Sequence, residues 1–382
     1  MAILIGIILC PIIIKVIWVL SATYGQGRLK KEEKEIIRRA NYLISKVVTE
    51  PEQLFNEMPR SIGSQFQGEW ALYSCSMTSI ALANIATLYP KRRDMAISNI
   101  EKIIDIVLSP KIREYDKVRW HEDPLTSLSG NKSHMSYLSH LAWIIGRYKQ
   151  IGGGDKYDMV YHPICEAMHR RMLQSPSLNL PTYPYENIYI PDMLVSIVAL
   201  YDYASLNEGK YKAAVDKWIH RAKTEWIDHE TGLLASFLEE NVNGAEIIIP
   251  VKGSYSSLNC YYLSLVDKEF AKKQYECLKK YFKKKYPFTG IKEYHDKSSF
   301  YQFDIDSGPI IMNISPSGTA FAIGCATSLN DMKFRKQLLK TAEIAGCTIT
   351  WKGKSHYLLA NWVLVGEAVA LAMRTSVQKD QK

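Results

Sequence analysis

From Lys31 onward, apolar residues recur three and four positions apart in about twelve stretches, each ended by Pro, Gly, Asn or Asp. That spacing lays one face of a helix against a core. The stretches begin near Lys31, Glu69, Arg93, Ser133, Tyr157, Asp192, Tyr211, Tyr255, Lys268, Ser317, Asp331 and His356. Two short extended runs, Glu246 to Val251 and Thr348 to Trp351, fit strands of small hairpins. Strands and helices do not alternate, which excludes doubly wound α/β folds.

The connections pair these helices. Short links at 89–93, 152–157, 206–211, 267–269 and 328–331 force the helices they join to lie antiparallel. Long links at 109–132, 175–191, 228–253 and 287–316 separate one pair from the next, and each precedes the same member of its pair. A closed ring of helical hairpins explains this: the inner helices open from one rim, where the long loops meet over a central cavity. A solenoid would show a repeat consensus of fixed period, which is absent. The expected domain is one all-α ring over 31–374, with no internal boundary and a disordered tail at 375–382.

Charge changes this picture little. The net charge of +9 comes from Lys and Arg interleaved with acids along amphipathic helices, so no nucleic-acid partner is expected. Seven scattered cysteines without a CxxC argue against a disulfide framework or zinc site, and most read as small buried hydrophobes. Cys75 has polar neighbours. Residues 1–24 are read as an uncleaved membrane anchor, because Ala2 to Leu20 is a nearly continuous apolar run interrupted only by Pro11 and Lys15. Arg28, Lys30, Lys31, Lys34, Arg38 and Arg39 follow it, which favours a cytoplasmic barrel. The side of the membrane stays open, as does homo-oligomerisation.

Candidate chemistry concentrates just before the inner helices. Glu69, Trp70 and Tyr73 stand at the first; Trp120, Asp123, His134 and Tyr137 at the second; Tyr183, Glu186, Tyr189 and Asp192 at the third. Tyr255 and Asn259 follow, then Asp304 and Asp306 ahead of Gly308-Pro309. Aromatics beside fixed acids suit a cavity for a small neutral organic or sugar ligand.

Between Tyr73 and Phe282 the chain resembles the linalool dehydratase/isomerase family. The resemblance rests on Asp123-Pro124, Asn131 through His134 to Tyr148, Asn187-Ile188-Tyr189, Trp226-Ile227-Asp228 through Gly232, and Asp267 to Phe270. It implies an (α/α)6 barrel and elimination, isomerisation or hydration of a small hydroxylated substrate. It also leans toward export. His134 matches the family's active-site histidine, whereas its two active-site cysteines correspond to Tyr183 and Asp192. Both thiols are gone, so the expected chemistry is acid–base catalysis by His134, Tyr183, Glu186, Asp192 and Asp306. Glu69, Trp70, Tyr73, Trp120, Asp123, Tyr137, Tyr189, Tyr255, Asn259 and Asp304 are the expected substrate contacts; no cofactor or metal is assigned. Two other readings remain in play: a glycosidase or lyase on the same barrel, working through paired carboxylates, and a non-catalytic membrane-tethered binding module.

Overall fold

The computed structural model describes Ile13 and residues 29–242, 244–248, 251–296, 301–304 and 307–377. The proposed anchor, apart from Ile13, lies outside these residues, and so does Asp306. The helices in chain order are α1 (Leu29–Val47), α2 (Pro51–Asn56), α3 (Gly63–Leu88), α4 (Arg93–Val107), α5 (Pro110–Trp120), α6 (Met135–Gln150) and α7 (Asp158–Gln174). They continue with α8 (Ile190–Leu206), α9 (Lys212–Thr224), α10 (Gly253–Val266), α11 (Lys268–Phe282), α12 (Pro316–Ser328), α13 (Met332–Gly346) and α14 (Leu364–Arg374).

Helices α3, α6, α8, α10, α12 and α14 each pack on the next, and α14 packs back on α3. This is a closed inner ring. Around it α4, α7, α9, α11 and α13 each run back beside the inner helix they follow, and α1 closes the circle against α14. The architecture is an (α/α)6 barrel. Inner helices are buried almost all round: α6 hides every residue from Met135 to Gly146. Outer helices bury one face, as α11 does with Phe270, Ala271, Gln274, Tyr275, Leu278 and Phe282. Local sequence sets the helix starts. Asp267 and Asp331 cap α11 and α13 by accepting from Phe270 N and Phe334 N, and Ser315 caps α12 with Pro316 in its first turn. Gly253 opens α10 where a Cβ would lie 1.8 Å from the Lys292 carbonyl oxygen, so only glycine fits.

The first and last helices are tied by buried charge. Arg39 Nη1 donates to Glu367 Oε1 at 2.6 Å and Nη2 to Thr348 Oγ1 at 2.7 Å, while its guanidinium stacks 4.0 Å from the Tyr357 ring centroid. Arg374 grips Glu35 at 2.7 Å. One helix among the described residues, Gly63–Leu88, is long and apolar enough to cross a membrane, and it is mostly buried inside the barrel.

Small sheets decorate the rim. β1 (Ile188–Tyr189), β2 (Phe237–Asn241) and β3 (Gly244–Ile247) form an antiparallel sheet in that order. Three hairpins join β4 (Lys283–Lys284) to β5 (Gly290–Ile291), β6 (Tyr301–Asp304) to β7 (Gly308–Ile311), and β8 (Thr348–Trp351) to β9 (Lys354–Tyr357).

Three expectations need correction. The stretch placed as a helix from His356 begins as strand β9, because Thr350 and Ser355 pair across a tight turn, and the helix starts at Leu364. The link 109–132 contains helix α5, whose Ile112, Tyr115, Asp116 and Trp120 are buried. Thr375 and Ser376, expected in the tail, are buried, and their hydroxyls donate to the Leu371 and Ala372 carbonyls.

Candidate active site

Because all six inner helices start at one rim, residues far apart in sequence meet there. Glu69 and Tyr73 sit one turn apart on α3, the spacing that places both on one helix face. Tyr73 reaches across the ring to α10, where its hydroxyl lies 2.9 Å from that of Tyr262. Its ring meets the His140 ring edge-on at 4.8 Å, and His140 Nδ1 is 2.9 Å from Ser76 Oγ. Burial pushes the His140 imidazole down to about 3, so this histidine is neutral.

Asp192 stands in the first turn of α8 behind Pro191 and accepts from Thr182 Oγ1 at 3.0 Å. The Tyr115 hydroxyl, on α5, lies 2.9 Å from Ser136 Oγ at the start of α6. Tyr183 completes the group from the loop before α8, its ring capped 4.3 Å away by the Arg119 guanidinium. Burial raises the phenols of Tyr73, Tyr115 and Tyr183, and negative charge adds to it. For Tyr73 that charge is Asp192 and Glu69; for Tyr115 it is Asp116, Glu69 and Asp192. Tyr183 feels Glu69. Glu69 and Asp192 therefore bear on the same tyrosines from two inner helices that are not ring neighbours. A second aromatic group flanks them: Tyr189 lies 4.9 Å from Phe237 and 5.4 Å from Tyr255, and Lys252 lies 5.2 Å over the Tyr255 ring.

His134 is placed differently. It is wholly buried at the N-cap of α6 in a left-handed conformation, φ 50°. Its Nδ1 lies 2.5 Å from Asp116 Oδ2 and its Nε2 3.2 Å from Glu122 Oε1. Burial raises the Asp116 carboxyl against the pull of His134. At Glu122 burial is outweighed by hydrogen bonds from His134 and Lys132, which hold that carboxyl low. With both nitrogens engaged, the imidazole acts as a clamp between α5, the 121–133 loop and α6.

The remaining expected residues divide by place. Trp120 is buried with its ring 5.4 Å from that of His134. Asp123 holds its own loop, accepting from Arg113 Nε at 2.7 Å and Leu125 N at 2.9 Å. Tyr137 points outward, donating to the Val107 carbonyl at the end of α4. Trp70 packs partly buried against the core, and Asn259 donates to the Ala235 carbonyl at 3.4 Å. Glu186 lies exposed at the mouth, 3.3 Å from Arg119. Asp304 ends β6 opposite Gly308. Among the described residues no group of three or more His, Cys, Asp or Glu is arranged to hold a metal ion. Cys75 is buried, its thiol pushed up by burial alone. A separate depression lies between α9, the 227–232 segment and α11, lined by Lys223, Ile227, Gly232, Phe270, Lys273 and Cys277.

Sequence reasoning did not single out Tyr115, Asp116, His140 and Tyr262, which stand in or beside this cluster. Ile112, Tyr115, Asp116 and Trp120 carry helical spacing behind Ser109-Pro110, a start signal sufficient to find α5.

No family model matches the chain, and no curated protein matches it. Solved structures do. An unsaturated glucuronyl hydrolase specific for heparin superposes with a TM-score of 0.58 at 12% identity, covering 92% of this chain and 97% of its own. The GH76A alpha-1,6-mannanase from Salegentibacter sp. HEL1_6 gives 0.52 at 12% identity, covering 90% and 98%. An inactive variant of that mannanase, in complex with alpha-1,6-mannotetrose, gives 0.52 at 12% identity over 88% and 98%. These likenesses support the barrel fold expected from the linalool dehydratase/isomerase resemblance, and they do so through carbohydrate-active proteins.

Proposed function

We propose that the barrel is a carbohydrate-active enzyme, a glycoside hydrolase or lyase, with Glu69 and Asp192 as its acid–base pair. The observation behind this reading is that both carboxylates raise the Tyr73 and Tyr115 phenols, from two inner helices with α6 between them. Glycoside cleavage needs a proton at the leaving oxygen and a carboxylate across the anomeric carbon. Asp192, which accepts from Thr182, takes the base or nucleophile position. Glu69, with Oε2 shut from solvent beside the phenols, takes the donor position. Tyr189, Phe237 and Tyr255 offer the flat apolar faces on which sugar rings rest. The carbohydrate-active neighbours add support by fold analogy. Elimination on a terpenoid alcohol is the weaker reading, because the histidine it requires is enclosed between two carboxylates and the two thiols are absent.

The test is turnover of a panel of α-mannooligosaccharides and unsaturated uronyl disaccharides, followed by product chromatography. Glu69→Gln and Asp192→Asn should each lower kcat by at least ~100-fold, the scale of a lost general acid or base. Their melting temperatures should stay within a degree or two of the parent. Full activity in either variant, or turnover of no carbohydrate, would sink the proposal.

A further inference from the structure

Aliphatic side chains are exposed at both ends of the barrel, but aromatic ones are not. Leu88, Met159 and Met332 lie at turns from an inner helix to an outer one, while Val242, Ile311 and Leu358 lie in the rim links. The exposed aromatics among the described residues are Tyr185, Tyr286, Trp351 and Trp362, and every one falls in a link that leads into an inner helix. Tyr185 precedes α8, Tyr286 precedes α12, and the two tryptophans precede α14.

Two of these four stand at the mouth itself. Trp362 comes just before Leu364, the first residue of α14, and is 62% exposed. An inner helix is walled by its outer neighbours, so exposure at its start opens through the rim. Tyr185 lies between Tyr183, whose ring the Arg119 guanidinium covers, and Glu186, which the same guanidinium meets at 3.3 Å. Its side chain is fully exposed while its backbone is left-handed, φ 62°. A tyrosine in that conformation is strained, no burial offsets the strain, and strain of this kind collects at binding sites. In the closed ring α14 and α8 are three places apart and so face each other, with Glu69 on α3 between them in ring order. Neighbours packed about 8–10 Å apart put opposite axes roughly 16–20 Å from each other, a span of more than one sugar ring.

The face of a pyranose lined by C–H groups rests on an aromatic ring while its hydroxyls stay in water. Exposed charge of both signs shares this end, Lys285, Lys352 and Lys354 with Glu186, Glu239 and Glu246, so recognition falls to the rings and not to a net charge. We propose that Trp362 and Tyr185 are outer sugar-binding platforms on opposite sides of the mouth, laying a polysaccharide across the site so that it is cut within the chain. This inference rests on the carbohydrate reading above and extends it from a small saccharide to a polymer.

The experiment is affinity electrophoresis of the full chain through gels holding a soluble polysaccharide, in a panel that includes alpha-1,6-mannan and heparin. High salt screens the net charge of +9, so that retardation does not report on charge alone. The polymer that retards the protein most becomes the probe. Trp362→Ala and Tyr185→Ala should each weaken its binding ~10-fold, the scale of losing one aromatic anchor. Trp362→Tyr and Tyr185→Phe keep a ring and should hold affinity within ~3-fold of the parent. Met159→Ala, which removes an exposed apolar side chain at the other end, should change nothing. On a polymer that is turned over, viscosity should fall before reducing ends accumulate. The proposal is overturned if no polymer retards the protein, if the alanine variants bind like the parent, or if the ring-keeping variants lose as much as alanine. Release of single sugars from chain ends overturns it too, and so does a dimer that dissociates in Trp362→Ala, which would assign the ring to a second copy of the chain. Retardation that the alanine variants lose, with no polymer turned over, upholds the platforms and sinks the acid–base reading instead.

Discussion

Removing the charge of Glu367 tests how the ring is closed. Glu367 and Arg39 are each 1% exposed, and no water replaces the carboxylate if it is neutralised. In Glu367→Gln the amide oxygen still accepts from Tyr357 N, now 2.8 Å from Oε2, so the main loss is the negative charge facing the guanidinium. Glu343 and Glu35, each 3.6 Å from the guanidinium, are the acids that remain, and neither takes the 2.6 Å place of Glu367. Breaking a buried pair by removing one partner costs about 3–5 kcal/mol, because the other charge stays buried. A barrel of roughly 340 residues has an unfolding entropy of about 0.7 kcal/mol per degree. The melting temperature should fall by about 4–7 °C, read by circular dichroism at pH 7. The double variant Arg39→Met, Glu367→Met removes both charges and should recover at least half of that loss. As a control, Glu186→Gln, whose carboxylate is half exposed at the mouth, should move stability by less than about 1 kcal/mol. A shift under a degree for Glu367→Gln, or a double variant no better than the single, would refute the reasoning.

Acid should loosen the same closure. Burial raises the Glu35 carboxyl, but Arg374 and Arg39 outweigh it and hold it below its ordinary 4.5. A carboxylate depressed in the fold contributes stability that is present above 4.5 and lost as pH falls through its folded value. Melting temperature should drop below about pH 4.5, and Glu35→Gln should flatten that drop; an unchanged slope would contradict the linkage. Asp116 is raised and has the opposite sign, so it opposes this loss rather than adding to it. His140 should remain neutral down to about pH 3 in nitrogen-15 spectra of the imidazole, and a titration near 6.5 would show that its surroundings admit water.

The ring was legible because each inner helix is announced by a long link and each outer one by a short link, a pattern set by chain length alone. The site was legible only where function sits at a helix start. Glu69, Tyr73, Tyr183 and Asp192, which the proposed function uses, were singled out that way. Tyr262 was not, since it lies nine residues inside α10 and reads as core until Tyr73 is known to face it. Asp116 was hidden because its segment was taken for loop, and an acid in a loop draws no inference. Thr348–Trp351 was legible as a strand, whereas β1, with two residues, is too short for a period of two to appear.

His134 shows why residue identity and residue role part company. A histidine at the mouth of an inner helix is catalytic only if one nitrogen reaches the cavity. Here Asp116 takes Nδ1, and α5 delivers that aspartate from a helix whose Tyr115, Asp116 and Trp120 are all buried. The same helix presents Tyr115 to Ser136 and, with Arg119 over Tyr183, fixes the phenols around Glu69. The clamp therefore positions the tyrosines instead of moving protons itself. In the proposed glycosidic reading, acid–base work is therefore given to Glu69 and Asp192, the two carboxylates that raise those phenols.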